Sequence, residues 1–206
     1  MAGWTMSWRA VLLAAVLAIP GSAWAAPVRD GVTVLATVPA ATQPPNPDLQ
    51  ISMMNSATSR LFNTEIGVET TLAGAATFRS RWFTMSNGID LPGAKWAAFT
   101  EGARKAFDWC RTIETENVTV EKHVGHYTAI GASGKWEGLS LAVHGVRNAG
   151  CAVRITGYQY PSGRMDLYVA PRDALKLGGT LSAIPATARA LREERARAAA
   201  VREQLQ

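Results

Sequence analysis

Three histidines come closest, by residue type and spacing, to forming a reactive site in this chain. His123 and His126 stand three residues apart, and His144 falls on the next predicted strand. Imidazoles bind transition metals and act as general acids or bases. Residues three apart on a strand face opposite sides of a sheet, so these two histidines would meet only if Gly125 introduced a bulge. We therefore expect no metal site and no cofactor. A hydrolase that uses His123 or His126 with a nearby carboxylate is kept as an alternative.

The usual spacings of other catalytic residues do not occur in this sequence. Acyl transfer by a serine needs a strained G-x-S-x-G turn, whereas residues 131–134 read Gly-Ala-Ser-Gly and predict a hairpin turn. The sequence has no glycine-rich phosphate loop either. Glycoside cleavage needs two carboxylates about 5–9 Å apart. The candidate glutamates lie at predicted ends of helices and strands, which is typical of solvated charge; they are Glu114, Glu116, Glu121 and Glu137. The sequence therefore favours a protein without catalytic activity.

The first 25 residues have the three zones of a secretory signal peptide. Arg9 precedes an apolar run at residues 10–19, and Ala-Trp-Ala at residues 23–25 follows as the cleavage site. Ten apolar residues make a helix of about 15 Å, and a bilayer needs about 20 such residues. We predict a cleaved signal at residues 1–25 and a mature chain without a transmembrane segment, located in the periplasm or secreted.

Two cysteines, Cys110 and Cys151, lie in the predicted mature part. An even number of cysteines in an exported chain predicts a disulfide. Closing a loop of about 40 residues would stabilise the fold by roughly 4 kcal/mol in the chain-entropy account. Cys110 falls on the apolar stripe of a predicted helix and Cys151 on the inward face of a predicted strand, which favours their pairing.

Alternating apolar residues predict an α+β fold with an antiparallel sheet of about six strands. Residues 64–72 and 77–85 predict an N-terminal hairpin, with an acidic outer row beside a basic one. Residues 93–113 predict a packed amphipathic helix. The segments that follow, up to residue 169, predict a four-strand meander.

The domain organisation follows from composition. Four prolines between residues 39 and 47 predict an extended arm or linker over residues 26–50, with residues 32–38 as an alternative strand on a sheet edge. Residues 51–180 are predicted to form a single α+β domain. Residues 181–206 are predicted to form a C-terminal helix whose apolar stripe is thin.

Charge and composition limit the classes of partner. The net charge is +5, but only 18% of the residues are charged, so we exclude nucleic acid. We expect a non-enzymatic periplasmic protein-binding module that assembles or protects an envelope structure, with an envelope protein as its partner. The expected partner surface comprises Arg79, Arg81, Arg189 and Arg192. An alternative function is a carrier of small apolar ligands, with a pocket between helix and sheet lined by Trp82, Trp96 and Trp136.

Overall fold

A computed structural model of the chain describes residues 31–45, 64–80, 88–130, 136–159 and 163–205. Side chains are described for all of these except residues 128–130, 136, 137 and 159. The strands are β1 (Val32–Ala40), β2 (Thr64–Thr71), β3 (Ala76–Arg79), β4 (Ile89–Leu91), β5 (Val120–Ile130), β6 (Trp136–Val146), β7 (Gly150–Gln159) and β8 (Gly163–Val169). The α-helices are α1 (Trp96–Glu116), α2 (Pro171–Thr180) and α3 (Ile184–Gln204). The fold therefore belongs to the α+β class.

The strands form two antiparallel sheets of four, which we call sheet A (β1 to β4) and sheet B (β5 to β8). In each sheet every strand pairs with its neighbour in sequence, so both sheets are meanders. Ala41 and Tyr168 exchange two backbone hydrogen bonds of 2.8 Å, which connect the chain after β1 to β8. The described part of the chain thus has one contact at which the two sheets continue into each other.

The prediction of about six strands in a single sheet is wrong, because the structure has eight strands in two sheets. The main prediction for residues 26–50 is an arm or linker, yet β1 pairs along its whole length with β2. The alternative prediction, a strand over residues 32–38 at a sheet edge, agrees with β1, which is an edge strand of sheet A. β4 has three residues, which is too short for a local pattern to reveal. Residues 26–30 and 46–50 of the predicted arm lie outside the described residues.

Helix α1 joins the two sheets into one core. It buries Phe99, whose ring centroid lies 4.9 Å from that of Phe78 in sheet A and 5.1 Å from that of Tyr127 in sheet B. Aromatic pairs at these distances add to the stability given by burial alone. The same buried core includes the apolar residues of both sheets and of α2. The predicted amphipathic helix is confirmed.

The predicted disulfide is also present. Cys110 lies on the buried face of α1, and Cys151 is the second residue of β7, with a Cα–Cα distance of 5.3 Å. Nearby, the backbone N–H of Cys151 donates a hydrogen bond to Oε1 of Glu114. Asn117 ends α1 in the left-handed region, at φ 48°, and its side chain exchanges hydrogen bonds with Asn148 in the turn before β7. These contacts fix the C-terminal end of α1 against sheet B.

Helix α2 packs closely against α1. The Thr100 hydroxyl donates a 2.9 Å hydrogen bond to the carbonyl oxygen of Gly178. A Cβ atom placed on Gly178 would lie 3.1 Å from Cβ of Ala103, which is tighter than ordinary van der Waals contact. The next residue, Gly179, has nothing within 4 Å of such an atom. Gly178 is therefore the residue that allows the two helices to approach each other.

Candidate functional site

The outer face of sheet B, opposite α1, carries all three histidines, and we call it the histidine face. His123 pairs with Ala142 and His126 pairs with Ser140, with a register shift between His123 and Gly125. Such a bulge adds one residue to β5, so the two histidines face the same side although they are three apart. Their ring centroids lie 5.1 Å apart. The bulge next to Gly125, which the sequence analysis required for these two rings to meet, is therefore present.

One end of the histidine face holds a charged cluster. An Nη2 atom of Arg154 lies 2.7 Å from Oε1 of Glu121, and Nδ1 of His144 lies 3.5 Å from the other carboxylate oxygen. The ring of His144 meets the ring of Tyr168 edge-on at 5.7 Å. Burial raises the pKa of Tyr168 more than its hydrogen bond with Arg154 lowers it. Glu121 is thus engaged mainly by Arg154.

A second carboxylate on this face, that of Asp166, accepts hydrogen bonds from neighbouring side chains. Thr156 donates a 2.5 Å hydrogen bond to it, and the Arg164 guanidinium makes bonds of 2.9 Å and 3.1 Å to its two oxygens. Burial opposes ionisation of Asp166, but these hydrogen bonds outweigh it and lower the pKa of the carboxyl. Asp166 therefore stabilises β7 and β8 as a charged group.

These contacts bear on the predicted hydrolase. A general base of this kind needs a carboxylate within hydrogen-bond reach of its imidazole. Among the described residues, the histidine nearest a carboxylate is His144 and not His123 or His126, and its 3.5 Å distance exceeds that of a good hydrogen bond. No group of three or more His, Cys, Asp or Glu side chains in the described parts could hold a metal ion.

Arg79, the described member of the predicted arginine row, pairs within sheet A. Its Nε donates a 2.8 Å hydrogen bond to Oε2 of Glu69 on β2, whose side chain is only 10% exposed. One basic residue and one acidic residue of the predicted hairpin therefore form an ion pair. Arg81 lies outside the described residues.

The three tryptophans predicted to line a pocket are only partly described. Trp96 is half-buried and its indole N–H donates a 2.8 Å hydrogen bond to the carbonyl oxygen of Leu91. Trp82 and the side chain of Trp136 lie outside the described part of the chain. Further along α1, at Gly102, the hydroxyl of Tyr127 from sheet B occupies the position that a Cβ atom would take.

Helix α3 is attached to the domain by its first turns alone. Ile184 and Ala188 are its buried residues, and Nη1 of Arg192 donates a 2.6 Å hydrogen bond to the carbonyl oxygen of Leu72. Arg189 and residues 192–205 are exposed, including 54% of Val201 and 81% of Leu205. Most of this helix is therefore free of the part of the domain that the structure describes.

Sequence reasoning assigned Glu121 to solvated charge and missed the other polar residues of the histidine face. The missed residues are Ser140, Arg154, Thr156, Tyr158, Arg164, Asp166 and Tyr168. The signal that could have found them is the alternation within the meander, because polar residues at every second position of four paired strands share one face. Pairwise register, which aligns these residues across strands, is not visible in one strand's pattern.

Comparison with known proteins gives no family for this chain. No protein-family model, curated protein or solved structure matches it. In the part of the chain that the structure describes, no helix has the length and apolar character needed to cross a membrane. The function is therefore inferred from the geometry of the histidine face and of α3.

Proposed function

We propose that this protein is a non-enzymatic protein-binding module of the periplasm, and that the distal segment of α3, residues 189–205, binds its partner. The observation that carries the proposal is the exposure of this segment. It continues α3 well beyond the buried residues Ile184 and Ala188. Because this part of the helix does not pack on the described core, most of its surface is accessible to another molecule.

The composition of the distal segment supports a preformed binding helix. Alanine, arginine and glutamate, which all favour helices, make up 13 of its 17 residues. An isolated helix of this length is marginal in water because nucleation is costly. Here the anchored first turns at Ile184 and Ala188 supply the nucleus. The segment is therefore already helical before it meets a partner, and it loses little conformational entropy on binding.

The side chains of this segment indicate the chemistry of the partner. Val201 lies in the last turn of α3 and Leu205 directly follows the helix, so they form an exposed apolar pair at its C-terminal end. The segment also contains five arginines and three glutamates, so its net charge is positive. Helices of this kind bind in apolar grooves, and acidic groups at the rim of the groove would complement the arginines.

The disulfide supports a location outside the cytoplasm. Cys110 and Cys151 are bonded, and disulfides persist in oxidising compartments such as the periplasm. The signal peptide expected at residues 1–25 agrees with that location. We propose that the protein's role is to assemble or protect an envelope structure.

Photo-crosslinking in the intact envelope tests this proposal. A photoreactive residue at Leu205 is expected to capture one protein in stoichiometric yield, whereas one at exposed Thr37 in β1 is expected to capture none. Arg202→Glu should reduce the yield at Leu205 at least several-fold, and Arg111→Glu on the exposed side of α1 should not. Equal capture from Thr37, or an unchanged yield with Arg202→Glu, would contradict the proposal.

A further inference from the structure

The geometry points to a second site on the histidine face, in addition to the proposed binding helix. We infer that the imidazoles of His123 and His126 together bind a divalent cation of the Zn²⁺ and Cu²⁺ class. Nothing in the proposed function requires this site, and the sequence alone predicted no metal.

The distance between the two rings fits bidentate coordination. Metal–nitrogen bonds to histidine are about 2.0–2.1 Å, and the nitrogen lies roughly 1.1 Å from the ring centroid, so the metal sits about 3.2 Å from each centroid. At a tetrahedral angle the two centroids are then about 5.2 Å apart. The observed distance between the rings of His123 and His126 is 5.1 Å, with 48° between their planes.

The bulge in β5 is what creates this distance. Without the register shift between His123 and Gly125, the two side chains would lie on opposite faces of sheet B. Bulges commonly re-aim a side chain next to a functional site. The bulge thus interrupts the regular pairing of β5 with β6 and places the two imidazoles side by side.

The surroundings leave both imidazoles available. Within the described residues, His123 and His126 make no hydrogen bond or ion pair with the protein, and both are exposed. His126 packs against Tyr158 with ring centroids 5.5 Å apart, and the Tyr158 hydroxyl is held at 3.1 Å from Oγ of Ser140. This contact orients the His126 ring. The nearest carboxylates on the face are engaged by Arg154 and Arg164.

The ligand chemistry selects the class of metal. Imidazole suits Zn²⁺, Cu²⁺ and Ni²⁺, and Cu²⁺ binds most tightly among the divalent metals of this series. Hard cations such as Mg²⁺ and Ca²⁺ prefer carboxylate and carbonyl oxygens. With two protein ligands, the remaining coordination positions stay open to water or to another molecule.

Calorimetric titration of the metal-free mature protein with Cu²⁺ and with Zn²⁺ tests the inference. One site per chain is expected, and His123→Ala and His126→Ala should each lower its affinity at least about tenfold. His144→Ala is the matched control, because this histidine lies on the same face near Glu121, and it should leave the affinity unchanged. Circular dichroism checks that each of the three histidine variants stays folded.

Electron paramagnetic resonance of the Cu²⁺-loaded protein provides a second measurement. The spectrum should show two coordinating nitrogens in the wild type and fewer in either single variant. The inference is overturned if the wild type binds neither metal, or if the double variant His123→Ala/His126→Ala retains the site. It is also overturned if His144→Ala weakens binding as much as the other two variants.

Discussion

At the scale of single residues, two adjacent glycines in α2 have different surroundings. Gly178 faces α1, where a Cβ atom would lie 3.1 Å from Cβ of Ala103 and 3.2 Å from Cα of Thr100. Gly179 is exposed and has no atom within 4 Å of the corresponding position. Both have ordinary helical backbone conformations. If the same substitution changes stability differently at the two positions, the difference is therefore due to packing.

We expect Gly178→Leu to destabilise the protein by about 2 kcal/mol, because the side chain forces α1 and α2 apart. Gly179→Leu should raise stability by up to about 1 kcal/mol, because leucine favours helix more than glycine does. Urea denaturation of the two variants measures both effects. Similar effects of the two substitutions would show that α1 and α2 do not pack as described.

Two aspartates on the surface of the domain have pKa values shifted in opposite directions. Hydrogen bonds from Arg164 and Thr156 outweigh burial and lower the pKa of Asp166. Burial raises the pKa of Asp173, against a smaller effect of Lys176. The ionised form of Asp166 is therefore favoured by folding, and the ionised form of Asp173 is disfavoured.

The stability that Asp166 provides over Asp166→Asn should be complete above the usual pKa of aspartate, about 3.9, and should disappear as the pH falls through the lower folded-state value. Asp173 should show the opposite sign. Relative to Asp173→Asn, the wild type should lose stability as the pH rises from about 3.9 through the raised folded-state pKa. Denaturation curves across this pH range test both. A parallel response of the two variants would contradict the assignment.

At the scale of elements, some parts of the fold could be predicted from sequence and others could not. Helix α1 has a strong local signal, because its bulky residues recur at helical spacing and its buried face includes Phe99 and Cys110. The local pattern of residues 32–38 allowed an edge strand only as an alternative, because the pairing of β1 with β2 spans a long stretch of chain that no local pattern records. The bulge between His123 and Gly125 is a matter of register, so the sequence could state only the condition for it.

Helix α3 also allows an element-scale prediction. Removing residues 193–206 should change the free energy of unfolding by less than about 0.5 kcal/mol, because surface changes away from packed features have small effects. Ile184→Ala, in the anchored first turn, should cost about 2–4 kcal/mol because that side chain is fully buried. Thermal and urea unfolding measure both. A truncation that destabilises as much as Ile184→Ala would mean that the distal segment packs on its own domain.

At the scale of the whole molecule, the described residues connect the two sheets through the shared core around α1 and through the backbone bridge between Ala41 and Tyr168. The Cys110–Cys151 disulfide then fixes α1 to sheet B. Since α1 also contacts Phe78 in sheet A, loosening α1 should affect both sheets in one transition.

Replacing both cysteines by alanine should lower the free energy of unfolding by about 2–5 kcal/mol, because the unfolded chain loses its cross-link. Reduction of the wild-type protein should give a similar loss and serves as the control. Circular dichroism and tryptophan fluorescence should report one common transition in each case. Separate transitions for the two probes would contradict a single cooperative core.

The central claim is that residues 189–205 of α3 bind a partner protein, and the truncated chain tests it most directly. After chemical crosslinking in the intact envelope, the wild type and the chain lacking residues 193–206 are purified in parallel, and the recovered proteins are quantified by mass spectrometry. We predict that one stoichiometric partner accompanies the wild type and is lost at least tenfold from the truncated chain, although the latter remains equally stable. Equal recovery of the same partner with both chains would contradict the claim.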